Sequence, residues 1–364
     1  MEKTMTTQQA DGSKFAPKGK PAPVVKPGEF KFAAAHLDHG HIGGQCNGLE
    51  EAGGELKWVY DPDPAKVKEF MATYPSVQPA RSLDEILDDD EIQMVAAAAI
   101  PNLRGPIGCR VMEAGKDYFT DKCPFTTFEQ LEQAQTVAGQ TGRRYMVYYS
   151  ERIHTESGMY AGELIEQGAI GRVLHVIGLG PHRHGKPGSR PDWFYDKEQY
   201  GGILCDIGSH QCEQFLHYTG AIDADVTYAR VENFNNPEHP GLEDFGEASL
   251  VGNNGTSFYY RVDWFTPDGL RAWGDGRTII MGTDGFIELR KYLEIASDRP
   301  GNQVYLANGN GEQNFDVNGK VGFSFFGQLV LDCLNRTENA MTQERAFKAA
   351  ELCLKCQKIA DEGR

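Results

Sequence analysis

The chain has 364 residues, 52 of them acidic and 36 basic, for a formal charge of −16. That balance excludes a general nucleic-acid or anionic-membrane surface, because phosphate contacts need clustered Lys and Arg. At 40% hydrophobic and 24% charged, the composition is that of a globular protein with room for about two domains, too apolar for a disordered chain. No apolar run reaches the roughly 18 to 20 residues of a membrane span.

Residues 1–27 are polar and rich in Pro and Lys, without the apolar core of a signal peptide, and are expected to form a flexible tail. From residue 28 to 150, apolar runs alternate with amphipathic stretches. FKFAAAHL reads as a buried strand, followed by a Gly-rich turn and a helix to about Gly53. LKWVYD is the next strand, and Pro64 suits the first turn of the helix AKVKEFMATY. A short strand near Val77–Ala80 leads to the helix SLDEILDD, with Ser82 as N-cap and Glu85 completing a capping box. MVAAAAI has the small-apolar character of a central strand covered on both faces. A helix over Leu103–Ala114, the strand DYFTD, a helix over Thr127–Thr141 and the strand RYMVYYS complete the series. This alternation predicts a Rossmann-like, doubly wound parallel sheet, within an α/β fold.

After residue 150 the rhythm changes. A helix at Met159–Gln167 precedes longer alternating runs: RVLHVIGLG, DVTYARVENF, EASLVGN, TSFYYRVDWF and TIIMGTDGFIELR. NNG, PDG and TDG supply turns between several of them. Residues 151–340 are therefore expected to form an α+β domain around a large, mostly antiparallel open sheet. Two helices, about Phe325–Leu334 and Gln343–Ile359, follow, the second forming a C-terminal element over 341–364. The aromatic strands predict an open face covered by another subunit, in a homodimer or homotetramer. The eight cysteines are scattered, and the CxxC of Cys353 and Cys356 lies within a helical segment that brings no second ligand pair. They read as buried thiols of a reduced, cytoplasmic protein.

Ligands of open parallel sheets sit at the carboxyl ends of the strands. There the first turn reads His36-Leu37-Asp38-His39-Gly40-His41-Ile42-Gly43-Gly44. The dinucleotide fingerprint G-x-G-x-x-G, begun at His36, meets Asp38 and His41, so no register matches completely. Gly40, Gly43, Gly44 and the N–H groups of the following helix support a nucleotide site, with Asp38, His39, Gly40, His41 and Ile42 as contacts. Asp61, at the end of the second strand, stands where a carboxylate accepts both ribose hydroxyls of NAD and repels the 2′-phosphate of NADP. Two further groupings would lie near the nicotinamide. The fifth strand ends in Thr120-Asp121-Lys122-Cys123-Pro124, and Gly201-Gly202 precedes Asp206 and His210. In one unbroken helix the last two share a face, and a carboxylate beside an imidazole suits a general base.

The strand order, the Lys122 motif and the GG…D-x-x-x-H pattern together resemble the Gfo/Idh/MocA oxidoreductase family over roughly residues 30–360. The resemblance implies that Lys122, Asp206 and His210 are the catalytic set. It puts the loop Ile100-Pro101-Asn102 against the nicotinamide ribose and makes Arg152 the Arg that follows the sixth strand. Cys123 stands where the family carries a Pro that is often preceded by a cis bond; a trans bond at Lys122–Cys123, or a cis bond displaced to Cys123–Pro124, is expected here. The implied activity is hydride transfer between NAD and a secondary alcohol of a sugar, cyclitol or related polyol. Tyr149, Arg152, His182, His184, Arg190, Asp192 and Trp193 are the candidate substrate contacts. Elimination or glycoside cleavage through transient oxidation is a rival, as is a non-catalytic NAD or sugar sensor. Asp206, His210 and His182 or His239 are also donors of the kind Zn²⁺ accepts, though no metal ligand is assigned.

Overall fold

A computed structural model describes residues 21–186 and 188–363. The first half carries β1 (Lys31–Ala35), α1 (His41–Glu51), β2 (Glu55–Tyr60), α2 (Pro64–Thr73), β3 (Gln78–Pro79), α3 (Leu83–Leu87) and β4 (Ile92–Ala97). It continues through α4 (Pro101–Glu113), β5 (Asp117–Asp121), α5 (Phe128–Thr141) and β6 (Tyr145–Tyr148). The sheet order is β3-β2-β1-β4-β5-β6 with every pair parallel, so the switch point lies between β1 and β4. The small side chains Ala33–Ala35 of β1 and Val95–Ala97 of β4 are wholly buried, which lets helices pack closely on both faces. At Gly48 of α1 a Cβ would come within 2.3 Å of the Phe326 ring.

The caps follow the sequence with one difference. Asp63 caps α2 by accepting from the Ala65 N–H, and Ser82 accepts from the Glu85 N–H. The Glu85 carboxylate turns instead to the backbone and side chain of Arg81, so the box is only half closed. An adjacent guanidinium offers a carboxylate more than one neutral N–H does.

The second half comprises α6 (Ser150–Ile153), α7 (Glu156–Glu166), β7 (Val173–Pro181), α8 (Lys197–Tyr200), α9 (Ile203–Asp206) and α10 (Gly208–Thr219). The strands β8 (Ala224–Glu232), β9 (Phe245–Gly252), β10 (Ser257–Asp263), β11 (Arg277–Gly282) and β12 (Gly285–Arg290) follow. β13 (Gln303–Asn308) and β14 (Gly311–Asp316) form a hairpin that the patterning did not announce, because β14 is polar almost throughout. α11 (Ser324–Asn335) and α12 (Gln343–Glu362) close the chain. The eight strands run β14-β13-β12-β11-β7-β10-β9-β8, antiparallel except for β7 with β10. One face packs on α10. The other carries a cross-strand row, Tyr228, Ser249, Tyr259, Ile177, Ile279, Glu288 and Tyr305, with Val251, Met281 and Phe286 exposed beside it.

Two expected boundaries shift. Residues 1–20 of the expected tail lie outside the described residues, but Val24 donates its N–H to the Ala52 carbonyl and Val25 packs on the core. α12 is no appendage: it contacts β8, α9 and α10 on one side and α5 and β6 on the other. Its Cys353 and Cys356 are free and wholly buried, and burial pushes the Cys353 thiol well up. No helix of the described residues is long and apolar enough to cross a membrane.

Candidate active site

A cleft of about 750 Å³ opens at the carboxyl edge of the parallel sheet, with Asp38, His39, Gly40, His41, Arg104 and Lys122 on one wall. Facing them are His182, Arg190, Trp193, Phe194, Trp264 and Trp273, and Asp206 completes the lining near Lys122. The Arg190 guanidinium stacks 4.8 Å from Phe194, 5.0 Å from Trp264 and 4.8 Å from Trp273, donating to the carbonyls of His184 and Arg183. Flat aromatic faces beside fixed donors suit a ligand with both C–H and O–H edges.

Lys122 leaves the end of β5 and reaches Asp206, Nζ to Oδ1, at 2.6 Å. Both are buried. Burial pushes Asp206 up, but the ammonium outweighs it and holds the carboxylate below its ordinary value. The Lys122–Cys123 peptide bond is itself cis, unlike the trans bond or displaced cis bond that the sequence suggested. Arg104 of α4 binds the carbonyls of both residues and the Asp121 carboxylate, a tertiary contact invisible in the local sequence.

The expected Asp206–His210 couple does not form as an unbroken helix would arrange it. The chain breaks at Ile207, between α9 and α10, and Asp206 turns to Lys122. Gly201 and Gly202, at φ 85° and 89°, set up this entry; a Cβ on Gly202 would lie 2.3 Å from Gln357. His210 lies one layer deeper, 1% exposed, with its Nδ1 buried and lacking a hydrogen-bond partner among the described residues. Beside it is Glu151 of α6, which accepts from Lys291 Nζ and Gln211 Nε2 at 2.8 Å each.

At the first turn, Gly40 stands at the N-cap of α1 and lines the cleft with His41, while the N–H groups of His41, Ile42 and Gly43 donate to His39 Nδ1 and to the His39 and Gly40 carbonyls. The Asp38 carboxylate, unwelcome near a pyrophosphate, is neutralised by Lys66. Asp61 accepts the N–H groups of Leu37 at 2.6 Å and Asp63 at 2.8 Å, and its carboxylate has lone pairs left for hydroxyls. Pro101 and Asn102 begin α4 along the same sheet edge, and Ile42 is buried in α1. A helix start, a neutralised acid and a carboxylate at the end of β2 with lone pairs to spare fit a nicotinamide dinucleotide.

His39 and His41 hold Asp121 from the side, Nδ1 to carboxylate, at 3.1 and 2.6 Å. Among the described residues these three, and no grouping of Asp206, His210, His182 and His239, bring metal-type donors together. Asp121 already serves Arg104, and His239 stacks on Tyr195 at 3.7 Å. Burial, then His41, lowers His39 to about 4, and burial lowers His154 to about 3 and His182, His210 and His217 as well. An unfolded histidine protonates near 6.5. Stability from these neutral rings is therefore full above that pH and is lost as pH falls below it, down to about 4 for His39 and about 3 for His154, at up to about 1.4 kcal/mol per pH unit for each ring. The urea midpoint should drop steadily from pH 7 to pH 5; a flat midpoint would contradict the neutral assignment.

Four candidate substrate contacts do not line the cleft. The Tyr149 hydroxyl donates to the Ala346 carbonyl, and Arg152 is locked to Glu213 by three bonds of 2.6–2.9 Å. Packing took both inward, where a buried guanidinium needs a carboxylate. His184 packs its ring on Phe194 and Tyr195, and Asp192 is exposed at the start of the 3-10 turn Asp192–Tyr195. Sequence reading missed Arg104, Glu151, Lys291, Trp264 and Trp273. Glu151 carried the one available signal, its place at the end of the sixth strand.

Residues 31–149 match the family described as "Oxidoreductase family, NAD-binding Rossmann fold", and residues 159–288 match the "GFO/IDH/MocA C-terminal domain". The chain belongs to the Gfo/Idh/MocA oxidoreductases. Its first half is that family's NAD-binding Rossmann fold. The crystal structure of an Erwinia carotovora atroseptica protein assigned as an oxidoreductase is 48% identical, with a TM-score of 0.88 over 91% of this chain and 99% of that one. D-xylose dehydrogenase of Paenarthrobacter nicotinovorans is 25% identical over 150 residues, 40% of this chain and 38% of that enzyme. The chain spans less than two thirds of the length of the curated relatives it matches. Levoglucosan dehydrogenase, in complex with NADH and levoglucosan, shares the fold at 17% identity, with a TM-score of 0.73 over 92% of this chain and 96% of that one.

Proposed function

We propose that this oxidoreductase moves a hydride between NAD and a secondary alcohol carbon of a sugar, cyclitol or related polyol. The observation that carries the reading is the Lys122–Asp206 pair facing an aromatic, donor-rich wall across one cleft. NAD, when bound, supplies the hydride acceptor. Lys122 donates a hydrogen bond to the substrate oxygen and stabilises the alkoxide as it develops. His210, held neutral by burial, receives the hydroxyl proton, and Asp206 holds the Lys122 side chain in place. His182, Arg190 and Trp193 orient the hydroxyl-bearing chain or ring. The relatives that act on xylose and levoglucosan support the substrate class.

A panel of sugars, cyclitols and polyols with NAD or NADP, followed by absorbance of the reduced cofactor, tests the reading. Release of NADH with one class of polyol is the expected result. Turnover without NADH release would point to elimination with the cofactor recycled, and binding without turnover would point to a sensor. Asp61→Ala should weaken NAD binding by about 10- to 100-fold, the worth of a charge-assisted hydrogen bond, and narrow the preference over NADP. Fluorescence titration with NADH and NADPH reads both; an unchanged ratio would remove Asp61 from that role.

We also propose a homo-oligomer joined through the open face of the eight-stranded sheet, where Tyr228, Val251, Met281 and Phe286 are exposed. The eight free, buried cysteines support a cytoplasmic setting.

A further inference from the structure

The D-x-x-x-H spacing offers Asp206 as the carboxylate that serves His210, but Asp206 is committed to Lys122. On the helix of His210 itself, Glu213 is committed to Arg152. Glu151 has an oxygen to spare. Its Oε2 accepts from Lys291 and Gln211, while Oε1 is buried without a hydrogen-bond partner among the described residues, 3.9 Å from His182 Nε2. His210 Nδ1 is buried without a partner as well, and stands more than 4.0 Å from either Glu151 oxygen. Buried polar atoms left without partners cost about 1–3 kcal/mol each, so their retention calls for a reason.

We propose that Glu151 is the positioning residue of His210: its carboxylate keeps the imidazole in the Nδ1–H tautomer and stabilises the imidazolium formed when the ring takes the substrate proton. The frame around the pair is rigid. Gln211 ties Glu151 to the residue next to His210, and Gln214 donates to the His210 carbonyl at 3.0 Å while accepting from Lys291 at 2.8 Å. Every other charge near the ring opposes protonation or is spent. Lys122 at the end of β5, His41 of α1 and His182 after β7 oppose it, as does Lys291 behind Glu151. Asp206 and Glu213 are paired. Of the groups acting on His210, Glu151 exerts the largest pull toward the charged form. The layout is the logic of a carboxylate behind a catalytic imidazole, built here from a residue of the strand-end turn instead of the helix motif.

The kinetic part of this inference rests on the dehydrogenase reading; the tautomer does not. Glu151→Gln is nearly isosteric and should lower kcat by about 10- to 100-fold, with KM within about threefold, and move the acidic limb of the kcat profile to lower pH. In protein without cofactor or substrate, ¹⁵N shifts of His210 should report Nδ1–H in the parent chain and a changed tautomer in Glu151→Gln. A double variant, Glu151→Gln with Lys291→Met, removes both buried charges, so it should recover thermal stability while kcat and tautomer stay altered. Identical His210 shifts in parent and Glu151→Gln, or a double variant with parental kcat and tautomer, would overturn the proposal. If no polyol is turned over, the tautomer measurement still decides the role of Glu151.

Discussion

Lys122→Met should lower kcat by about 10²- to 10³-fold while NADH binding changes little. The magnitude is that of removing one preorganised donor from an oxygen that gains charge in the transition state. The substitution also strands Asp206, since breaking a buried ion pair from one side costs about 3–5 kcal/mol. A fall in activity could then reflect a damaged fold. The double variant Lys122→Met with Asp206→Asn separates the two causes. It leaves no uncompensated charge, so its melting temperature should return toward that of the parent while kcat remains low. Lys122→Arg should not rescue, because a planar fork cannot keep the ammonium's single 2.6 Å bond to Asp206 and still point at the substrate oxygen. Parental kcat in Lys122→Met would remove Lys122 from the chemistry.

The second large effect is expected at His210. His210→Asn should lower kcat in the oxidative direction by about 10²- to 10⁴-fold, the range of a positioned general base. The sign of the pH dependence follows from burial, which holds the ring neutral well below its ordinary value. The base is therefore available across neutral pH, and the parent should lose oxidative activity only on acidification. In His210→Asn that acidic limb should disappear along with most of the rate. A variant that keeps both the limb and the rate would assign the proton to another group, with His182 first in line because it shares Glu151 and lines the cleft.

Periodicity and strand-end loops carried much of this protein into view. The alternation of β1 to β6 with helices, the glycines before Asp206, the end of β5 at Lys122 and the place of Asp61 after β2 are all local signals. Each arises because backbone propensity, a turn or a cap is set by residues within a few positions of one another. The partners were a different matter. Whether Asp206 serves His210 or Lys122 depends on a helix break at Ile207 and on a lysine 84 residues away. Arg152 had the chemistry of a substrate contact until Glu213 took it, 61 residues on, and Glu151 waited for Lys291, 140 residues on. The aromatic wall gathers Trp193, Trp264 and Trp273 from separate loops. Buried charges choose partners by who arrives within about 3 Å once water is gone, and that is decided when the two sheets and α10 close on one another. The amino-acid order thus determined the parallel sheet, its crossovers and which strand-end turns border the cleft. Tertiary packing alone decided how those charges pair, because pairing in a dry interior depends on distance in space and leaves no periodic mark in the chain.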